Sequence, residues 1–200
     1  MTSTIERPPL KTRWRTVDIV VAAVLAVAFG VVFQAWGLLW SAIDPVFTGF
    51  PPAAGLMVGV WLIAGVVGAL VIRKPGAALF VETVAAMVSA LLGAQWGLIT
   101  ILYGVVQGLA VELVFAAFLY RRWKLAVAVM AGAAAGAASA ILDFFYSYPA
   151  WSVAWKGTWL VMVALSGAVI AGWLGWVLVR ALARTGALAS FAAGREQRST

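Results

Sequence analysis

The chain contains no cysteine and no histidine. Those two absences remove disulfides, thiolate chemistry, haem and His-ligated metals, and Ser-His-Asp catalysis together. No GxxxxGK[ST] segment occurs, so the chain does not hydrolyse ATP through a P-loop. Charge is also scarce. Only 10% of the 200 residues are charged, and seven acids face fourteen Lys and Arg, while 64% are hydrophobic. That is too apolar for a soluble domain, and it leaves no room for a separate soluble catalytic one beside a single helical bundle. In a soluble protein the net charge of +7 would suggest nucleic acid. Here the basic residues abut apolar runs, where membrane topology and anionic headgroups account for them, so no nucleic-acid partner is expected. Neither a metal nor a cofactor is expected either.

Six apolar runs are present, roughly 17–41, 53–72, 77–92, 98–120, 125–147 and 155–180. A bilayer-spanning helix needs about 20 residues, and the third run is the shortest. Basic clusters alternate with the runs. Arg7, Lys11, Arg13 and Arg15 precede run one, and Arg73 and Lys74 follow run two. Arg121, Arg122 and Lys124 follow run four, and Arg180, Arg184, Arg195 and Arg198 follow run six. The segments after runs one, three and five hold only Lys156. Positive charge stays cytoplasmic, so the pattern predicts an all-α integral membrane protein of six transmembrane helices with both termini inside. The expected layout is a cytoplasmic tail over 1–16, a six-helix transmembrane substrate-binding domain over 17–184, and a second cytoplasmic tail over 185–200. The first run lacks a small-x-small cleavage site and reads as a retained helix. Asp44, Pro45, Pro51 and Pro52 predict an irregular outer connection over 42–52.

Three acids lie inside apolar runs: Glu82, Glu112 and Asp143. No Lys or Arg lies mid-run to pair with them. Intramembrane ionisable groups are costly and commonly mark a site, although a protonated acid bonded to a neighbouring helix is the plainer alternative. At 100° per residue, Gly132, Gly136, Ser139, Asp143 and Tyr146 share one narrow face of the fifth helix. Thr100, Tyr103 and Gln107 align on the outer half of the fourth. Glu112 lies roughly opposite Tyr103, with Gly104 and Gly108. Six of the eleven tryptophans, Trp36, Trp40, Trp96, Trp151, Trp155 and Trp159, gather towards the outer side. An interfacial belt explains part of this. The rest predicts an aromatic site under the outer loops, and indole faces with unpaired acids suit a flat cationic ligand. On the first helix Ala22, Ala26 and Gly30 form a small-residue seam continued by Gln34, which permits close helix approach.

The stretch from Glu82-Thr-Val-Ala-Ala to Leu-Leu-Gly93-Ala-Gln-Trp-Gly97, followed by Tyr103-Gly-Val-Val-Gln107-Gly-Leu-Ala-Val-Glu112-Leu-Val-Phe115, resembles the YkoE family. These are substrate-capture (S) components of energy-coupling-factor (ECF) transporters for thiamine or its hydroxymethylpyrimidine precursor. The resemblance implies a prokaryotic plasma-membrane protein that is not an enzyme. It implies a vitamin site under the outer loops and assembly with an EcfT-type coupling subunit and two cytoplasmic ABC ATPases. It further implies that the seam of Ala22, Ala26 and Gly30 meets the coupling subunit. The candidate ligand contacts are Gln34, Trp40, Glu82, Trp96, Tyr103, Gln107, Glu112, Asp143, Tyr146, Trp151 and Trp159. The residue pattern by itself leaves open an S component for another small nutrient or an assembly subunit. A membrane-embedded enzyme is disfavoured because the acids are dispersed over three helices.

Overall fold

A computed structural model describes residues 13–189, 191, 193 and 194. Both expected tails lie partly outside these residues. The described chain is helical, with no strand; five helical segments are long and apolar enough to cross a membrane, and the shorter apolar Ala77–Leu91 makes the sixth. The spans are α1 (Thr16–Ile43); a 3₁₀ helix Pro51–Leu62 continued by α2 (Ile63–Ile72); α3 (Ala77–Leu91); α4 (Ile99–Ala117); α5 (Leu125–Tyr146); and α6 (Val153–Ser166), a π segment Gly167–Leu174 and α7 (Gly175–Arg184) in one line. The expected connection over 42–52 holds a short 3₁₀ turn, Asp44–Phe47, before Pro51 opens the second span. As the sequence suggests, α3 is short, at 15 residues.

The two irregular segments face each other. Pro51 and Pro52 start the tight 3₁₀ geometry because proline lacks an N–H, which a first turn leaves unsatisfied anyway. The π segment begins just after Ser166. The Ser166 hydroxyl accepts from the Gly59 amide at 2.9 Å and donates to the Leu56 carbonyl at 2.6 Å. One side chain thus bonds two backbone groups of the 3₁₀ helix and ties it to the start of the π segment. Close approach needs glycine here. A Cβ on Gly132 would sit 2.2 Å from the Gly167 carbonyl oxygen, and one on Gly59 2.5 Å from that of Ser166.

At the basic end the start of α1 is packed tightly against the turn before α3. Asp18 is fully buried there, with Arg15 at 2.7 Å and Lys74 at 2.5 Å. The Trp14 indole donates to the Pro75 carbonyl at 3.0 Å, fixing the start of α1 against the turn before α3. The sequence predicts a cytoplasmic tail over 185–200. Instead its Leu188 and Phe191 are buried in the main core cluster.

The seam on α1 is a correction. Ala22 and Ala26 are 0% exposed, and a Cβ on Gly30 would lie 2.5 Å from Val88 Cβ and 2.8 Å from the Ala85 carbonyl oxygen. Small residues do permit close helix approach, but the helix that approaches is α3 of the same chain. The face expected to meet a coupling subunit is already used.

Candidate functional site

The opposite end of the bundle encloses a cavity of about 710 Å³. That size suits a small organic ligand, for which sites commonly span about 300–1,000 Å³. All six spans reach it. Phe33, Gln34 and Trp40 come from α1, Val58 and Trp61 from the 3₁₀ helix, and Ala86 and Ser89 from α3. Thr100, Tyr103 and Gln107 come from α4, Ser139, Asp143 and Tyr146 from α5, and Trp159 from α6. The 93–96 turn adds Gln95 and Trp96, and Asp44 stands beside Ser41 in the lining.

Asp143 organises one wall. It is 7% exposed, and its carboxylate accepts three side-chain bonds. Oδ1 takes the Tyr103 hydroxyl at 2.7 Å and the Ser147 hydroxyl at 3.0 Å, and Oδ2 takes the Trp159 indole N–H at 2.9 Å. All three donors are neutral. They hold the carboxylate in place without cancelling its charge, and no Lys or Arg lines the cavity. Lower down, the Gln107 amide donates to the Ser139 hydroxyl at 3.0 Å. The Thr100 hydroxyl oxygen is buried without a hydrogen-bond partner while lining the cavity.

Aromatic rings form two groups. Trp61 stands between Trp40 and Trp96, with centroids 5.3 and 5.2 Å away. Its indole N–H donates to the Phe33 carbonyl at 3.1 Å. Across the cavity, Tyr148 stacks on Trp151 at 3.8 Å and meets Trp159 edge-on at 4.9 Å. Burial raises the Tyr148 phenol, as do the negative charges of Asp143 and Asp44. At the rim, Ser41 bonds the Gln95 side chain and joins α1 to the 93–96 turn.

Eight of the eleven candidate contacts line the cavity: Gln34, Trp40, Trp96, Tyr103, Gln107, Asp143, Tyr146 and Trp159. Glu82, Glu112 and Trp151 do not. Glu82 is fully enclosed one turn below Ala86, and its Oε2 accepts the Gly65 amide at 2.5 Å. Glu112 faces the basic end, where it accepts from the Gly76 amide at 2.6 Å, the Ala78 amide at 3.0 Å and the Tyr120 hydroxyl at 2.7 Å. It therefore caps α3, which has no cap of its own, placing an anion at a helix N-terminus. Burial and that bond to Glu112 both raise the Tyr120 phenol. Trp151 supports Tyr148 from behind. The sequence reading omits Trp61, Tyr148, Ser139 and Thr100 from the candidate contacts. The polar stripes of α4 and α5 already contain Thr100 and Ser139. Trp61 gives no such signal, because its position follows from the 3₁₀ winding of its segment.

Fold and cavity define a multi-pass membrane protein with a cavity of small-molecule size at one end of its helix bundle. The comparisons place it within that class. Residues 17–138 match the family described as "ABC-type cobalt transport system, permease component". The chain is 40% identical over 186 residues to YkoE of Bacillus subtilis (strain 168), named as an HMP/thiamine permease protein, with 92% of each chain covered. It also matches a solved structure described as an S-component of an ECF transporter. The TM-score is 0.89 at 37% identity, covering 94% of each chain. The chain belongs to the YkoE family of ECF S components, transport proteins of the prokaryotic plasma membrane rather than enzymes.

Proposed function

We propose that this chain captures thiamine or its hydroxymethylpyrimidine precursor in the 710 Å³ cavity and receives it from the outer face of the membrane. The observation that carries the reading is Asp143: a buried carboxylate held by three neutral donors, in an aromatic cavity whose lining contains no base. Such a site favours a flat cation by Coulomb attraction and by contact with indole faces. Thiamine supplies a permanently charged thiazolium. Its aminopyrimidine edge offers donors and acceptors to Gln107, Ser139 and Thr100. The YkoE name agrees with this chemistry. The cobalt description fits less well. The chain has no histidine or cysteine, and no group of three metal-ligating side chains occurs among the described residues.

In this reading an EcfT-type coupling subunit and two cytoplasmic ATPases drive release, since the chain has no nucleotide motif of its own. The basic end is cytoplasmic by charge rule. Titrating the purified full chain with thiamine and with hydroxymethylpyrimidine should quench tryptophan emission, because Trp61, Trp96 and Trp159 wall the cavity. Unchanged emission and no binding heat with both, at millimolar concentration, would overturn the reading. Cysteine placed at Ser152 should label from outside and at Thr185 only after permeabilisation. External labelling at Thr185 would overturn the orientation.

A further inference from the structure

A second, smaller cavity of about 240 Å³ lies at the basic end, where α2, α5 and α7 terminate. Its floor is apolar, with Leu70 and Val179 buried. Its walls carry Arg73, Lys124 and Arg180, and no acid among the described residues lines it. Two indoles brace the cations. The Arg180 guanidinium sits 4.6 Å from the Trp176 ring centroid, and that of Arg73 5.6 Å from Trp123. A second, independent feature has the same sign. The 22-residue α5 begins at Leu125, which lines the cavity, and this helix start has no side-chain cap. The positive end of its dipole therefore lies at the cavity wall, as in anion sites at helix N-termini.

We propose that this cavity binds the phosphate of an anionic phospholipid headgroup. Arg180, Lys124 and the α5 N-terminus contact the phosphate, and an acyl chain follows the apolar floor. A phosphate is the ligand that cations and a helix N-terminus recognise together. Lipid is favoured as its source because the cavity lies at the helix ends, among interfacial tryptophans and directly above an apolar surface. The cavity is separate from the one holding Asp143 and shares none of its lining.

The test is native mass spectrometry of the full chain, purified in detergent and offered dioctanoyl phosphatidylglycerol, dioctanoyl phosphatidylcholine or inorganic phosphate. The expected result is a preference of about tenfold or more for the anionic lipid, which disappears in Lys124→Gln/Arg180→Gln, since each interfacial cation contributes about 1 kcal/mol. Lys124→Arg should keep the preference, and the thermal melting of each variant reports its fold. If the double variant does not fold, Lys124→Gln alone is read against the wild type, with a partial loss expected. Equal retention of both lipids overturns the proposal, as does an unchanged preference in the glutamine variants. Displacement of the lipid by equimolar inorganic phosphate also overturns it, and would mark a small-anion site instead.

Discussion

The two ends of this bundle treat the same residue type in opposite ways. At the basic end every described acid is absorbed by the fold: Asp18 by Arg15 and Lys74, Glu112 by the N-terminus of α3. At the other end Asp143 has neutral donors only and borders open volume. An intramembrane acid is therefore no sign of a site until its partners are known. A carboxylate bonded to backbone amides or cations has its charge answered. One bonded to hydroxyls and an indole is positioned yet still available to a cation.

The largest effect is expected on α1. Ala22 and Ala26 are fully buried in the bundle, so Ala22→Trp or Ala26→Trp should prevent folding instead of selectively blocking assembly with a partner. Overpacking a filled core costs about 1–3 kcal/mol or more, and an indole is a large insertion. Ala28, exposed on the same helix, should accept tryptophan. Size-exclusion profiles and melting temperatures of the three variants decide this. A well-folded Ala26→Trp would show that α1 and α3 are not held this tightly.

Next in size is Asp143→Asn. It keeps the shape and removes the charge. Thiamine affinity should fall by about 100-fold, the scale of about 3 kcal/mol for truncating a buried charged partner. The uncharged pyrimidine should lose far less. Isothermal titration with both ligands measures the difference, and equal losses would mean that Asp143 acts by hydrogen bonding alone.

Glu112→Gln should do the reverse. It weakens an anion-capped helix start, costing stability by about 1.5–3 kcal/mol for bonds to a charged group, with thiamine affinity unchanged. Melting curves read beside titrations separate the two effects. A loss of affinity without a loss of stability would place Glu112 in the ligand's field after all.

Much of the bundle is legible in the sequence because its signals are long. Six apolar runs, alternating basic clusters and a shortened third run match the six spans and the 15-residue α3. The polar stripes on α4 and α5 also carry through, since an intact α-helix keeps its 100° periodicity; Tyr103, Gln107, Ser139 and Asp143 do meet one cavity. Periodicity gives a face but not its neighbour. It could not say that α3 covers the Ala22 seam, or that Glu112 reaches the start of α3. It also fails where the winding changes. The 3₁₀ segment Pro51–Leu62 and the π segment Gly167–Leu174 follow other periods, so the position of Trp61 in the aromatic wall had no sequence signal.

The smallest effect concerns Trp151, which sharpens the line between contact and support. It stacks on Tyr148 at 3.8 Å with planes 14° apart, and Tyr148 rather than Trp151 lines the cavity. Trp151→Phe keeps an aromatic face behind Tyr148 and removes part of its area, an aromatic pair being worth about 0.5–1.5 kcal/mol. Only the part of that loss that lets Tyr148 move reaches the ligand, so thiamine affinity should fall about threefold or less. Trp159→Phe removes an indole N–H that bonds Asp143 directly, and should cost more. Titrating both variants orders them. If Trp151→Phe is the worse of the two, the loop over 147–152 closes onto the ligand in the bound state, and Trp151 belongs to the site itself.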